Sequence, residues 1–176
     1  MKFSARILPS FLIAASLAFS ACGTGQDPLD LIDPAQSDFE MDLPFASTTT
    51  AQTLTGYSET TPRLGWTLLT TTSSYSVLAP VGGLIVDTES ASGASQVTIR
   101  VNSTYQVTVA SMLTLGSVRA GDEISRGDVV GTTSSAVTVS VERNGTETCP
   151  YPFFNATAMD AINLLARNLL VTVCDK

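Results

Sequence analysis

From residue 41 to about residue 155 the apolar positions recur every second residue, the period of a strand with one buried face. Val97, Ile99 and Val101 fall on one side of such a strand, with Thr98 and Arg100 on the other. Tyr105-Gln106-Val107-Thr108-Val109 repeats the alternation, as does Val137-Thr138-Val139-Ser140-Val141. Ser76-Val77-Leu78-Ala79-Pro80 leads through Gly82-Gly83 into a further apolar run, Leu84-Ile85-Val86. Between these runs stand turn signals. Asn102-Ser103-Thr104 predicts a hairpin turn and Asn144-Gly145 a tight one. Gly121-Asp122 and Gly127-Asp128 each combine a residue that accepts positive φ with a carboxylate that can bond the turning backbone. The abundance of Thr, Ser, Val and Tyr suits pleated, half-buried surfaces, so the expected class is mainly β.

The period changes near the C-terminus. Asn155 is placed to cap a helix starting near Ala156 or Thr157. Ala158, Ala161, Ile162, Leu165, Ala166 and Leu169 then follow at steps of three and four, an apolar stripe along one helix. Asp160 is expected in its first turn and Arg167 near its last, the favourable sense for the helix dipole. Val171-Thr172-Val173-Cys174 predicts a short strand or extended tail.

The other end carries an address. Lys2 and Arg6 precede an apolar stretch, residues 7–19, broken only by Pro9, Ser10 and Ser16, and Phe19-Ser20-Ala21-Cys22 follows. This layout predicts a bacterial signal peptide over residues 1–21, too short and wrongly flanked for a transmembrane anchor. Its Ser-Ala-Cys ending resembles a lipobox, in which Cys22 is acylated and becomes the mature N-terminus; Phe19 stands where such motifs usually have Leu. The plainer reading is a secretory signal with an incidental cysteine. Acyl chains on Cys22 would anchor the protein, each buried methylene contributing about 0.8 kcal/mol. Residues 22–40, with Gly23, Gly25, Asp27-Pro28 and Asp33-Pro34, read as a solvated tether. The expected organisation is therefore signal 1–21, acylated tether 22–40, β domain 41–155, and helix with tail 156–176. The expected place is the bacterial envelope, at the outer membrane facing the periplasm, since Gly23 rather than Asp follows the cysteine.

Composition narrows the chemistry. The 176 residues carry 9 Lys+Arg against 16 Asp+Glu, a net charge of -7. Without Lys2 and Arg6 the balance becomes 7 against 16, or -9. An acidic chain lacks the basic face that nucleic acid requires. There is no histidine. That excludes Ser-His-Asp and Cys-His nucleophiles, histidine bases, histidine-ligated zinc and imidazole pH switches. Cys149 and Cys174 enclose about 25 residues, and outside the cytoplasm they are expected to form a disulfide worth about 3 kcal/mol. The alternative, a thiol metal site, has too few ligands for structural zinc. No cofactor is expected.

Several short motifs recur in a known order. Leu43-Pro44-Phe45 and Leu54-Thr55-Gly56-Tyr57 are followed by Leu64-Gly65-Trp66. The segment from Val77 through Ala79-Pro80 and Gly83 to Val86 is similar to a V-x-A-P-x-x-G-x-V strand-turn-strand. Val118 to Gly131 matches V-x-x-G-D-x-V-x-x-G-x-x-I-G, and Val139-Ser140-Val141-Glu142-Arg143-Asn144-Gly145 matches F-E-V-R-x-N-G. Together these residues resemble the lysostaphin/LytM-type zinc endopeptidases. The resemblance implies their fold, the duplicated hybrid motif or barrel-sandwich hybrid of antiparallel strands, here with one C-terminal α-helix. It also implies where the chemistry would sit. The family holds zinc with an H-x-x-x-D motif and the second histidine of H-x-H, and uses further histidines on water and substrate. By alignment, the H-x-x-x-D ligands fall on Arg63 and Thr67, the H-x-H on Ala136-Val137-Thr138, and the histidine of Y-A-H-L on Ser111. A guanidinium repels Zn²⁺ and neutral hydroxyls bind it poorly, so no catalytic zinc and no peptide cleavage by this mechanism is expected.

The resemblance thus implies a pseudoenzyme, binding peptidoglycan or regulating a wall hydrolase through Arg63, Thr67, Ser111, Ala136 and Thr138. Arg63 suits a peptide carboxylate through its two-pronged donor geometry; against this, these positions are simply substitutions in an abandoned site. Trp66 is either a stacking platform or core. Glu142 and Asp122 suggest a glycosidase-like carboxylate pair, although the turn explains Asp122. Asn102, Asn144 and Asn155 head glycosylation sequons but are expected to serve as turn and cap residues. A different class remains open: a structural biotinyl/lipoyl-like hybrid module, docking to an envelope transport complex as in efflux adaptors. Residues 87–117 lack the helical hairpin of those adaptors, and Lys176, the one lysine after the signal, sits in no hairpin.

Overall fold

The computed structural model describes residues 39–46, 49–69, 74–91 and 94–175. The expected signal peptide, Cys22 and residues 22–38 of the tether lie outside the described residues. Within them, period-two stretches become strands: β1 (Ala51–Thr55), β2 (Leu64–Leu68), β3 (Tyr75–Leu78), β4 (Gly83–Ala91), β5 (Ala94–Arg100), β6 (Tyr105–Met112), β7 (Thr114–Leu115), β8 (Glu123–Ile124), β9 (Val129–Thr133), β10 (Ala136–Arg143) and β11 (Thr146–Thr148). A large antiparallel sheet runs β1-β2-β10-β6-β5-β4-β8, with β11 also on β10, and a small sheet runs β3-β9-β7. The fold is mainly antiparallel β, as the alternation implies. The described residues of 87–117 form strands and turns, not a helical hairpin.

The alternating valines make one face of the large sheet. Val97, Ile99, Val107, Val109, Val137, Val139 and Val141 are all fully buried, and Val77, Met112 and Val130 belong to the same core. Full burial of each such side chain stabilises by about 1.5–3 kcal/mol. Each turn signal sits where it was read. The Asn102 carboxamide oxygen accepts from the Thr104 and Tyr105 amides at the β5–β6 hairpin. Asn144, with φ 51°, makes the β10–β11 turn. The two Gly-Asp turns are copies of one device. Asp122 accepts from the Arg119 amide and Asp128 from the Ser125 amide, both at 2.8 Å. Gly121 and Gly127 have φ of 98° and 90°.

Helix α1 (Ala156–Leu169) starts at Asn155, whose side chain accepts from the Ala158 amide, and buries Ala158, Ile162 and Ala166. Two expectations fail here. Asp160, fifth in the helix, lies beyond the first turn, so it does not meet the exposed amides there. Ala161 and Leu169 are exposed, because only a narrow strip of the stripe meets β1 and the aromatic layer. Phe39, expected in the tether, stacks on Phe153 and meets Tyr105 edge-on, so packing begins before Met41.

Candidate functional site

The register of three strands builds the site. Val137, Val139 and Val141 face the core, so Ala136, Thr138, Ser140 and Glu142 of β10 face the opposite side. On β2, Thr67 pairs with Ala136 and Gly65 with Thr138. On β6, Ala110 pairs with Thr138 and Thr108 with Ser140. On β5, Thr98 pairs with Thr108, their hydroxyls 3.0 Å apart, and Arg100 pairs with Gln106. The result is a sheet face of hydroxyls and small side chains, with Arg100, Gln106 and Glu142 along one margin.

Four of the five positions aligned with the family's site meet on this face. Thr67 and Ala136 are register partners and Thr138 lies one step along. Ser111 reaches the group through a β-bulge. Ser95 pairs with Met112 and Val97 with Val109, so Ala110 and Ser111 together oppose Gln96. The bulge gives Ser111 a φ of 66° and brings its hydroxyl to 3.4 Å from that of Thr138. Such left-handed backbone in a residue other than glycine costs about 1–3 kcal/mol and gathers at functional sites.

Arg63 sits apart, in the bend before β2. It is exposed, and its amide donates to the Thr61 carbonyl at 2.8 Å. Among the described residues the ion pair is Arg126–Asp42, at 3.4 Å, which leaves the Arg63 guanidinium without a carboxylate.

Sequence reasoning missed the roles of two residues. Thr133, 2 % exposed, ties the site together: its hydroxyl donates to the Ala136 carbonyl at 2.6 Å, lies 3.4 Å from the Ser111 carbonyl, and accepts from the Ala136 amide. The signal was a threonine heading the Ser134-Ser135 turn, where a hydroxyl bonds the backbone two or three residues on. Gly65 is the other. A Cβ there would stand 3.2 Å from the Thr138 methyl and 3.6 Å from the Thr55 Cβ, so glycine keeps the floor open between them.

The structure also corrects the side readings. Trp66 is 2 % exposed, edge-on to Phe45 and Phe154, so it is core and not a stacking platform. Glu142 lies on β10 while Asp122 precedes β8, with β6, β5 and β4 between their strands, so they form no pair. Zinc does not fit this donor set: the aligned positions supply a guanidinium, three hydroxyls and a methyl. Among the described residues no three His, Cys, Asp or Glu side chains gather elsewhere as metal ligands.

The sequence matches no family model and no curated protein. Solved structures do match. A peptidase M23 protein of Pseudomonas aeruginosa is similar over 68 % of this chain and 52 % of its own, at 16 % identity and a TM-score of 0.52. The fold is that of the M23 (LytM-type) peptidases. This chain spans about half the length of the Pseudomonas protein. A chain of the SpoIIQ–SpoIIIAH pore-forming complex matches over 72 % of this chain and 98 % of its own, at 17 % identity and a TM-score of 0.52. The catalytic domain of EnpA, a prophage-encoded M23 protein of Enterococcus faecalis, matches over 64 % and 95 %, at 20 % identity and a TM-score of 0.50. At these identities the shared property is the fold. The chain thus carries a peptidase-like domain in a sequence with no histidine.

Proposed function

We propose that this chain is a lipid-anchored protein of the bacterial envelope whose LytM-type domain does not cleave peptide bonds. It binds peptidoglycan or regulates a wall hydrolase, using the hydroxyl-lined face and Arg63. The carrying observation is the convergence of Thr67, Ala136, Thr138 and Ser111 on one sheet face in a chain with no histidine. Strand pairing and the Thr133 bonds hold that face. Its neutral donors and acceptors, with Arg63 in no ion pair among the described residues, suit amides and a terminal carboxylate, the groups of a wall stem peptide. Acylation at Cys22 would hold the domain at the outer membrane, within reach of the wall.

Partner docking is the second reading, supported by the likeness to a chain of a pore-forming assembly. One experiment separates the two. The chain from Gly23 onward is sedimented with purified peptidoglycan sacculi, beside Arg63→Ala. Co-sedimentation that weakens in the variant supports wall binding through this face. Binding indifferent to Arg63 places the contact elsewhere. No binding by either protein sinks the wall reading in favour of a protein partner. Stoichiometric zinc or wall cleavage by the pure protein would overturn the non-catalytic assignment.

A further inference from the structure

The last residues of the chain close back on the loop that carries Arg63. After α1 the backbone turns at Leu170, with φ 56°, and runs extended beside residues 56–58. The Tyr57 amide donates to the Val173 carbonyl at 2.8 Å, and the Asp175 amide donates to the Tyr57 carbonyl at 2.9 Å. Gly56 makes this approach possible: a Cβ there would lie 1.9 Å from the Thr172 carbonyl oxygen. The tail is then bonded to the sheet by the Cys149–Cys174 disulfide.

The position of that bond matters. β2 and β11 share one edge of β10, Leu64 pairing with Val139 and Thr148 with Val141. Arg63 and Cys149 are the residues next to these last pairs, which flank Ser140 on β10. The disulfide thus stands toward the start of β2, where the loop of residues 56–63 ends at Arg63. That loop is otherwise held by its own turn, Ser58 and Thr61 exchanging amide bonds of 3.0 Å. Tyr57 adds a long bond, its hydroxyl donating to the Glu147 carbonyl at 3.4 Å.

We infer that residues 170–175 form a disulfide-closed strap that positions Arg63, and that reducing Cys149–Cys174 releases the loop and weakens the Arg63 end of the face. Reduction breaks the S–S bond. A dithiol gives up two electrons and two protons, closes to its own disulfide, and leaves two cysteine thiols. Both cysteines are partly exposed, so a dithiol can reach them. Without the bond, the strap keeps two amide hydrogen bonds to the loop, on partly exposed backbone of the kind that opens locally. The strap itself is independent of the proposed function; its effect on ligand binding rests on that reading.

The test is hydrogen exchange on the full-length protein in mild detergent, before and after dithiothreitol. The amides of Tyr57, Arg63 and Asp175 should exchange about tenfold faster after reduction, while Val107 and Val139 in the central strands stay protected. Gly56→Ala should do the same with the disulfide intact, because the new methyl displaces Thr172; this keeps the test valid if a Cys149→Ser, Cys174→Ser variant fails to fold. Uniform acceleration across the sheet would make the disulfide a global staple and overturn the strap. Unchanged exchange at Tyr57 would also overturn it. Sacculus binding is measured in parallel and should fall on reduction. Local release with no wall binding in either redox state supports the strap and overturns the wall-binding reading alone.

Discussion

The hydroxyls of Ser111 and Thr138 lie 3.4 Å apart although 27 residues separate them in sequence. A bulge in β6 and a left-handed backbone at Ser111 bring them together. The motif resemblance sets both against family histidines, and the fold brings the two hydroxyls to one place. Thr133 and the β10 register fix the local backbone that presents them.

If the face keeps the family's geometry, its ligands can be put back. The combination Arg63→His, Thr67→Asp and Thr138→His supplies two imidazoles and a carboxylate, the donor set of an open zinc site. Calorimetric titration should show about one zinc per chain for this variant and none for the parent. A variant with an unchanged circular dichroism spectrum and no zinc uptake would show that one of the three positions is misaligned, Arg63 before the other two.

Thr133→Val keeps the shape of the residue but removes its hydroxyl. The Ala136 amide and carbonyl and the Ser135 amide each lose a partner. Urea unfolding should report a loss of about 1–3 kcal/mol. A loss below about 0.5 kcal/mol would mean that water or neighbouring backbone takes over those bonds.

Much of this was legible in the sequence because strand alternation writes itself into side-chain polarity. The Val137-Val139-Val141 face and both Gly-Asp turns sit where they were read. The cap at Asn155 and the Cys149–Cys174 bond do too. What escaped depends on pairing between distant segments. No local pattern shows that Leu64 and Thr148 share an edge of β10, or that Gly56 meets Thr172. Thr133 was hidden for a similar reason: one of many threonines, it is set apart only by its burial. Asp160 and Phe39 failed at boundaries, where one or two residues decide whether a charge sits in the first turn or a ring joins the core.

Leu170 closes α1 in the left-handed conformation with 94 % of its surface exposed, so it bears backbone strain and gains almost nothing from burial. Glycine is the residue that this cap favours. Leu170→Gly should raise stability by about 0.5–1 kcal/mol in urea unfolding, relief of strain outweighing the added freedom of the unfolded chain. A destabilised variant would show that the leucine side chain has a contact in solution that its exposure hides.

Tyr57 links the strap to pH. Burial first, then the carboxylates of Glu147 and Glu59, raise its phenol above the usual value. The folded state therefore holds the phenolic proton more tightly than the unfolded chain does. Its contribution is complete below the unfolded value, about 10, and is lost as pH rises through the folded one. Ionisation would place a charge beside two carboxylates and remove the donor to the Glu147 carbonyl, at the point where the tail pairs with the loop. The wild type should accordingly lose stability more steeply above pH 10 than Tyr57→Phe, with exchange at the Asp175 amide rising first. At neutral pH the variant should be weaker by only about 0.5 kcal/mol, since the bond it loses is long. Parallel alkaline profiles for the two proteins would mean that the phenol titrates alike in the folded and unfolded chains, and that the strap does not feel its charge.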